Sequence, residues 1–141
     1  MKIKWIFLLV TAVIAADRLS KIFAQGCNAI FCIERSTNYG AAFGLFQGAT
    51  ILFIVIAAIL IPFLIYFLCK TKSNLLRTAL ALILAGTISN LLDRFIYGYV
   101  IDIISVNLFA FPSFNIADAA NSIGAVLLII YLCKKQKLKQ T

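Results

Sequence analysis

The chain has 141 residues, 63% of them hydrophobic, with mean hydropathy +1.03 and a formal net charge of +8. That balance excludes an ordinary soluble domain and fits one integral membrane domain over residues 1–141. The sequence has no histidine, which excludes Ser-His and Cys-His catalysis and leaves little from which to build a zinc site; no cofactor or metal is expected.

The first apolar stretch, residues 5–24, is interrupted by Asp17, Arg18 and Lys21. Asp17 and Lys21 are four apart, so a helix places them on one face as a pair. Lys2, Lys4 and the apolar core that follows also resemble a cleavable signal peptide. Ala24-Gln25-Gly26-Cys27 faintly resembles an acylation site, but the charges before it break the required apolar run. Residues 50–69 form the second span, with Pro62 as its expected kink and no polar face, so it reads as a lipid-facing support. The third span runs from about 75 to 95. In it Gly86, Asn90, Asp93 and Tyr97 are spaced as one helical stripe, with Arg94 beside them. Gly86 permits close approach of another backbone. Asp93 reads most simply as the structural partner of a nearby cation. The fourth span, 115–133, opens with Asn115 and Asp118, and Ser122 continues that face.

Charge placement sets the direction of these spans. Nine of the thirteen Lys and Arg lie at Lys2 and Lys4, at Lys70, Lys72 and Arg77, and at Lys134, Lys135, Lys137 and Lys139. These flank apolar runs as cytoplasmic anchors do. They form no basic helix face and have no aromatic platform, so nucleic acid is not an expected partner. Four spans with both termini cytoplasmic satisfy all three clusters. The two external loops, 25–49 and 95–114, then hold one basic residue, Arg35, next to Glu34. Cys69 and Cys133 end apolar runs and read as small buried hydrophobes. Cys27 and Cys32 share the outer side, where a disulfide between them is one possibility.

Only five residues are acidic. An ionisable residue at membrane depth is costly and is a functional-site hypothesis by default. Asp102, in the second external loop, and Asp118 fall on the same outer side, where Asn38 of Thr37-Asn38-Tyr39-Gly40 also lies. Two carboxylates sharing a proton can activate water with one member and protonate a substrate with the other. A carrier with ion-site acids is the main rival. It would call for charges near the midplane and repeated halves, neither of which is evident. A non-catalytic scaffold is the second rival.

The segments Asp17-Arg18-Leu19-Ser20-Lys21, Asn38-Tyr39-Gly40-Ala41-Ala42-Phe43-Gly44, Gly86-Thr87-Ile88-Ser89-Asn90-Leu91-Leu92-Asp93-Arg94, Tyr99-Val100-Ile101-Asp102 and Phe114-Asn115-Ile116-Ala117-Asp118 occur in this order. Together they resemble the lipoprotein signal peptidases, or type II signal peptidases. The resemblance implies an all-α integral membrane protein with four transmembrane helices, and a small extramembrane β-rich cradle in 25–49. It implies an aspartic endopeptidase of the bacterial inner membrane, with its active site at the outer face; a monomer is expected, though the sequence does not give the oligomeric state. Such an enzyme acts among membrane lipid on a lipidated prolipoprotein, cutting just before the diacylglyceryl-modified cysteine, and is inhibited by globomycin. By the same resemblance Asp102 and Asp118 are the catalytic pair. Asp17, Lys21, Asn38, Gly86, Asn90, Arg94 and Asn115 bind substrate or shape the site, and Asp93 is structural. The chain departs from the family's usual residues at Ala85, Ser89, Ile103 and Ala119. These departures bear on the packing of the third helix and on hydrogen bonding near Asp118.

Overall fold

The computed structural model describes residues 2–24, 31–40, 46–106 and 112–140. Four helices, α1 (Ile3–Phe23), α2 (Thr50–Lys70), α3 (Asn74–Tyr97) and α4 (Ile116–Gln140), are joined by two strands, β1 (Phe31–Asn38) and β2 (Val100–Val106). Among the described residues three helices are long and apolar enough to cross a membrane: α2, α3 and the Ile116–Lys137 part of α4. At 21 residues α1 matches α2 in length and is set apart by its charges.

The helix ends follow from local chemistry. Ser73 caps α3 by accepting a hydrogen bond from the Leu76 N–H, and the three-residue connection 71–73 makes α2 and α3 antiparallel neighbours. Gly98 ends α3 in the left-handed region, at φ 81°, and donates to the Arg94 carbonyl. A side chain would be strained there. Helix α2 runs unbroken through Pro62.

Helix α3 is central, since α1, α2 and α4 all pack against it. Small residues permit this. Ala79, Ala81, Ala85 and Ser89 are buried along it. A Cβ built on Gly86 would overlap the Ala117 carbonyl and the Asn121 side chain of α4. Gly124 of α4 likewise lies against Ala79 and Ile83. Small residues facing each other bring two backbones together where lipid offers no hydrophobic drive to association. Helix α2 instead turns Ile51, Ile59, Phe63 and Phe67 outward, as a lipid-facing support should.

The interior divides by position along the bundle. Ile6, Leu64, Leu68, Leu80, Ala81 and Leu84 form an apolar core at one end. The buried polar residues Asp17, Lys21, Ser89, Asn90, Asp93, Asp102 and Asn115 gather at the other, beside the strands. Cys69 and Cys133 are free and exposed rather than buried, because they fall on outward faces that an apolar bundle presents to lipid. Cys27 lies outside the described residues, and with it any disulfide to Cys32.

Strand β1 pairs antiparallel with β2, in a register that sets Asn38 opposite Val100, Thr37 opposite Ile101 and Ser36 opposite Asp102. The small sheet expected of residues 25–49 is present in β1, and it takes its second strand from residues 100–106. The Val100–Val106 run of β-branched residues supplies the second strand. A bulge between Ile33 and Ser36 breaks the register, and within it Arg35 reaches back to the carbonyls of Lys21 (2.6 Å) and Ile22 (2.8 Å). A guanidinium thereby serves the orphan carbonyls at the end of α1.

Candidate active site

The polar end of the bundle is built outward from a four-charge cluster. The ammonium of Lys21 lies 2.7 Å from Asp17 and 2.7 Å from Asp93. The guanidinium of Arg18 lies 3.0 Å from Asp17 and 2.6 Å from Asp93. Two cations thus meet two fully buried carboxylates, and the cluster is neutral. Such a cluster is tolerable away from water only when every charge has its partner. Ser89 donates a further hydrogen bond of 2.6 Å to Asp17 Oδ2. Asp93 Oδ2 also accepts from the Ile101 N–H at 3.1 Å, which ties α3 to β2 one residue before Asp102.

Asp17 carries this cluster to the start of α4. Its Oδ1 accepts from the Ala117 N–H at 3.0 Å. Asn115 and Asp118 satisfy the neighbouring groups. The Asp118 N–H donates to Asn115 Oδ1 at 2.8 Å, and the Asn115 N–H donates to Asp118 Oδ2 at 3.3 Å. This reciprocal arrangement is a capping box, with aspartate in the usual place of glutamate. It fixes the Asp118 side chain, whose other oxygen accepts from Asn90 Nδ2 at 2.8 Å.

The same Asn115 reaches the second carboxylate. Its Nδ2 donates to Asp102 Oδ1 at 2.8 Å and lies 3.3 Å from both Asn90 Oδ1 and the Ile101 carbonyl. Asn38 Nδ2 donates to Asp102 Oδ2 at 2.9 Å. The sheet register accounts for this pair, since Asn38 is two residues from Ser36 and so shares a face with Asp102. Asn38 is itself held by the Gly40 N–H, which donates to its Oδ1 at 2.9 Å. Asp102 is 1% exposed. Burial pushes its carboxyl up to about 6, and the neighbouring Asp118 charge adds to the rise against the two amide donors.

A cleft of about 560 Å³ opens beside these groups. Asn38, Asn90, Arg94 and Asp118 contribute its polar lining, while Val100, Pro112, Phe114 and Ile123 contribute apolar wall. Arg94 donates to the carbonyls of Gly40 (3.1 Å) and Asn90 (3.4 Å) and lies over the Phe53 ring.

The structure therefore brings together Asp102, Asp118, Asn38, Asn90 and Asn115, with Arg94 at the cleft. It places Asp17, Lys21 and Asp93 in the adjoining ion cluster and Gly86 at the α3–α4 contact. Tyr97, grouped with the α3 stripe by its spacing, points away instead; it is exposed and stacks with Tyr99, 6.0 Å between ring centroids. The sequence names Arg18 and Ser89 without giving either a role at the site, and Asn121 is passed over. A signal for Ser89 exists, because 86, 89, 90 and 93 are successive positions on one helix face.

The chain resembles known proteins along most of its length. The family model described as signal peptidase (SPase) II matches residues 9–134. A lipoprotein signal peptidase of Halothermothrix orenii is 40% identical over 110 residues, covering 77% of this chain and 74% of that protein. One of Caldicellulosiruptor bescii is 36% identical over 141 residues, covering 94% and 91%. A bacterial membrane enzyme solved by the in meso method at 2.3 Å resolution is 30% identical, covering 97% of this chain and 92% of that one, with a TM-score of 0.89. The match extends over nearly the whole chain and includes every element of the polar site, and the chain belongs to the signal peptidase II family.

Proposed function

We propose that the protein is a membrane aspartic endopeptidase that removes the signal peptide from diacylglyceryl-modified prolipoproteins, cutting before the lipidated cysteine. Family membership supports the removal of prolipoprotein signal peptides. The observation that carries the aspartic reading is the joining of Asp102 and Asp118 through one buried asparagine, beside a partly apolar cleft.

Two such carboxyl groups share one proton more readily than they carry two charges. The ionised member takes a proton from a water molecule as its oxygen attacks the scissile carbonyl carbon. The protonated member gives its proton to the carbonyl oxygen or to the leaving amine. Asn38, Asn90 and Asn115 hold the carboxylates at fixed angles. The substrate cysteine, anchored by its lipid, stays at the membrane surface and enters laterally among the helices.

In this reading α1 is a fourth membrane crossing, and the Asp17–Lys21 pairing offsets the charges that set it apart. Both termini face the cytoplasm, and the strands and dyad lie at the outer face of a bacterial inner membrane. The enzyme works as a monomer without a cofactor, and globomycin blocks it by occupying the dyad. The test is cleavage of a lipidated prolipoprotein by the purified protein, with and without globomycin. Cleavage that globomycin abolishes supports the proposal, and an intact substrate after prolonged incubation overturns it.

A further inference from the structure

Asn121 lies on α4 three residues beyond Asp118, and so about one turn further along the same face. It lines the cleft together with Asp118 and the apolar Ile123. Its Oδ1 is buried and has no hydrogen-bond partner among the described residues. The side chain is laid against Gly86, the one place on α3 where no Cβ interferes with it. With Oδ1 turned inward, Nδ2 is the edge of the amide left for the cleft. Rotation about the last side-chain torsion exchanges the two.

An unsatisfied amide in a span carries a cost that a leucine of similar volume would not. The other large side chains on this part of α4, Ile123 and Val126, are apolar. We propose that Asn121 is a substrate-binding residue, whose side-chain amide hydrogen-bonds to the backbone of the peptide held in the cleft, one turn from Asp118. The inference rests on the peptidase reading above. An extended peptide carries an unpaired N–H and C=O at every residue, and inside a spanning bundle each needs a partner. Asn90 and Asn115 are already committed to the carboxylates, whereas the Asn121 carboxamide oxygen is uncommitted.

The experiment compares the purified full-length protein with Asn121→Leu and Asn121→Ala, using a diacylglyceryl-modified prolipoprotein peptide as substrate. Both variants should raise KM about five- to tenfold and keep kcat within about twofold, the signature of a lost binding contact. Asn121→Leu should melt no lower than wild type, because it removes an unsatisfied polar atom. Should it fail to fold, Asn121→Ala, which only shortens the side chain against Gly86, carries the measurement. An unchanged KM in the folded variants overturns the inference, as does a fall in kcat alone. Failure of the wild type to cleave, or cleavage by Asp118→Asn, instead overturns the peptidase reading, and this inference with it.

Discussion

Asp17 accepts a hydrogen bond of 3.0 Å from the backbone N–H of Ala117, so a carboxylate on the first helix caps the last one, one residue before Asp118. The ion cluster and the candidate dyad are thereby a single construction. Asp17→Ala should remove the cap and leave Lys21 and Arg18 sharing one carboxylate. Breaking a buried pair from one side typically costs about 3–5 kcal/mol, and losing the cap adds about 1 kcal/mol. The expected result is a much lower melting temperature in detergent. An unchanged melting temperature would show that the cluster does not hold α4.

Asp102→Asn and Asp118→Asn should each abolish cleavage while leaving a folded protein. Asparagine keeps the size and polarity of the side chain but cannot exchange a proton. Either loss should lower kcat by about 10²–10⁴-fold or more, and the double variant should be little worse than the singles, because the groups act as a unit. Asp93→Asn is the comparison. Its carboxylate binds Arg18 and Lys21, so it should lower stability more than activity per folded molecule. Wild-type-like turnover by either dyad variant sinks the aspartyl mechanism.

Much of this site is legible in the sequence because membrane burial makes polar residues conspicuous. Asp17, Lys21, Asp93 and Asp118 stand out against apolar runs, and helical spacing pairs the first two correctly. Their mutual contacts across helices are not legible, since they depend on how α1 and α4 lie against α3. Strand β2 is a second such case. Val100–Val106 is short and apolar, and only pairing with β1 across sixty residues of intervening chain makes it a strand. Tyr97 shows the opposite error, where correct spacing on a helix fails at the last turn, beyond the packed interface.

Ser89 tests the tertiary part directly. Its hydroxyl donates a 2.6 Å hydrogen bond to Asp17 in a fully buried position. Ser89→Ala should lose a charge-assisted hydrogen bond, costing about 1.5–3 kcal/mol. The melting temperature should fall while cleavage per folded molecule stays within about threefold. A melting temperature equal to wild type would mean that the ion cluster holds Asp17 without help.

The lysine clusters make the topology testable. Reporter fusions at Gln140 and near Asn107 should report opposite sides of the membrane, with Gln140 cytoplasmic, because Lys134, Lys135 and Lys137 lie just before it. The same side for both would break the four-span arrangement and with it the outer placement of the dyad.

Burial of Asp102 has a consequence for stability that can be read against pH. Its carboxyl titrates near 6 in the folded protein, against 3.8 ordinarily. Well below pH 4 it is protonated in both folded and unfolded chains and contributes nothing. As pH rises from about 4 to about 6 the unfolded chain gives up its proton while the folded protein retains it, so the folded state loses ground. Above about pH 6 both are ionised and the loss is complete, on the order of 3 kcal/mol. Asp102→Asn has no such proton. Its melting temperature, measured beside wild type from about pH 4 to about pH 8, should therefore gain on wild type across the lower half of that range and hold a constant lead or deficit above it. The new amide also faces Asn38 and Asn115 as a donor, which offsets the two curves by a fixed amount. A difference that stays flat from pH 4 upward would mean that Asp102 ionises as freely in the folded protein as in water.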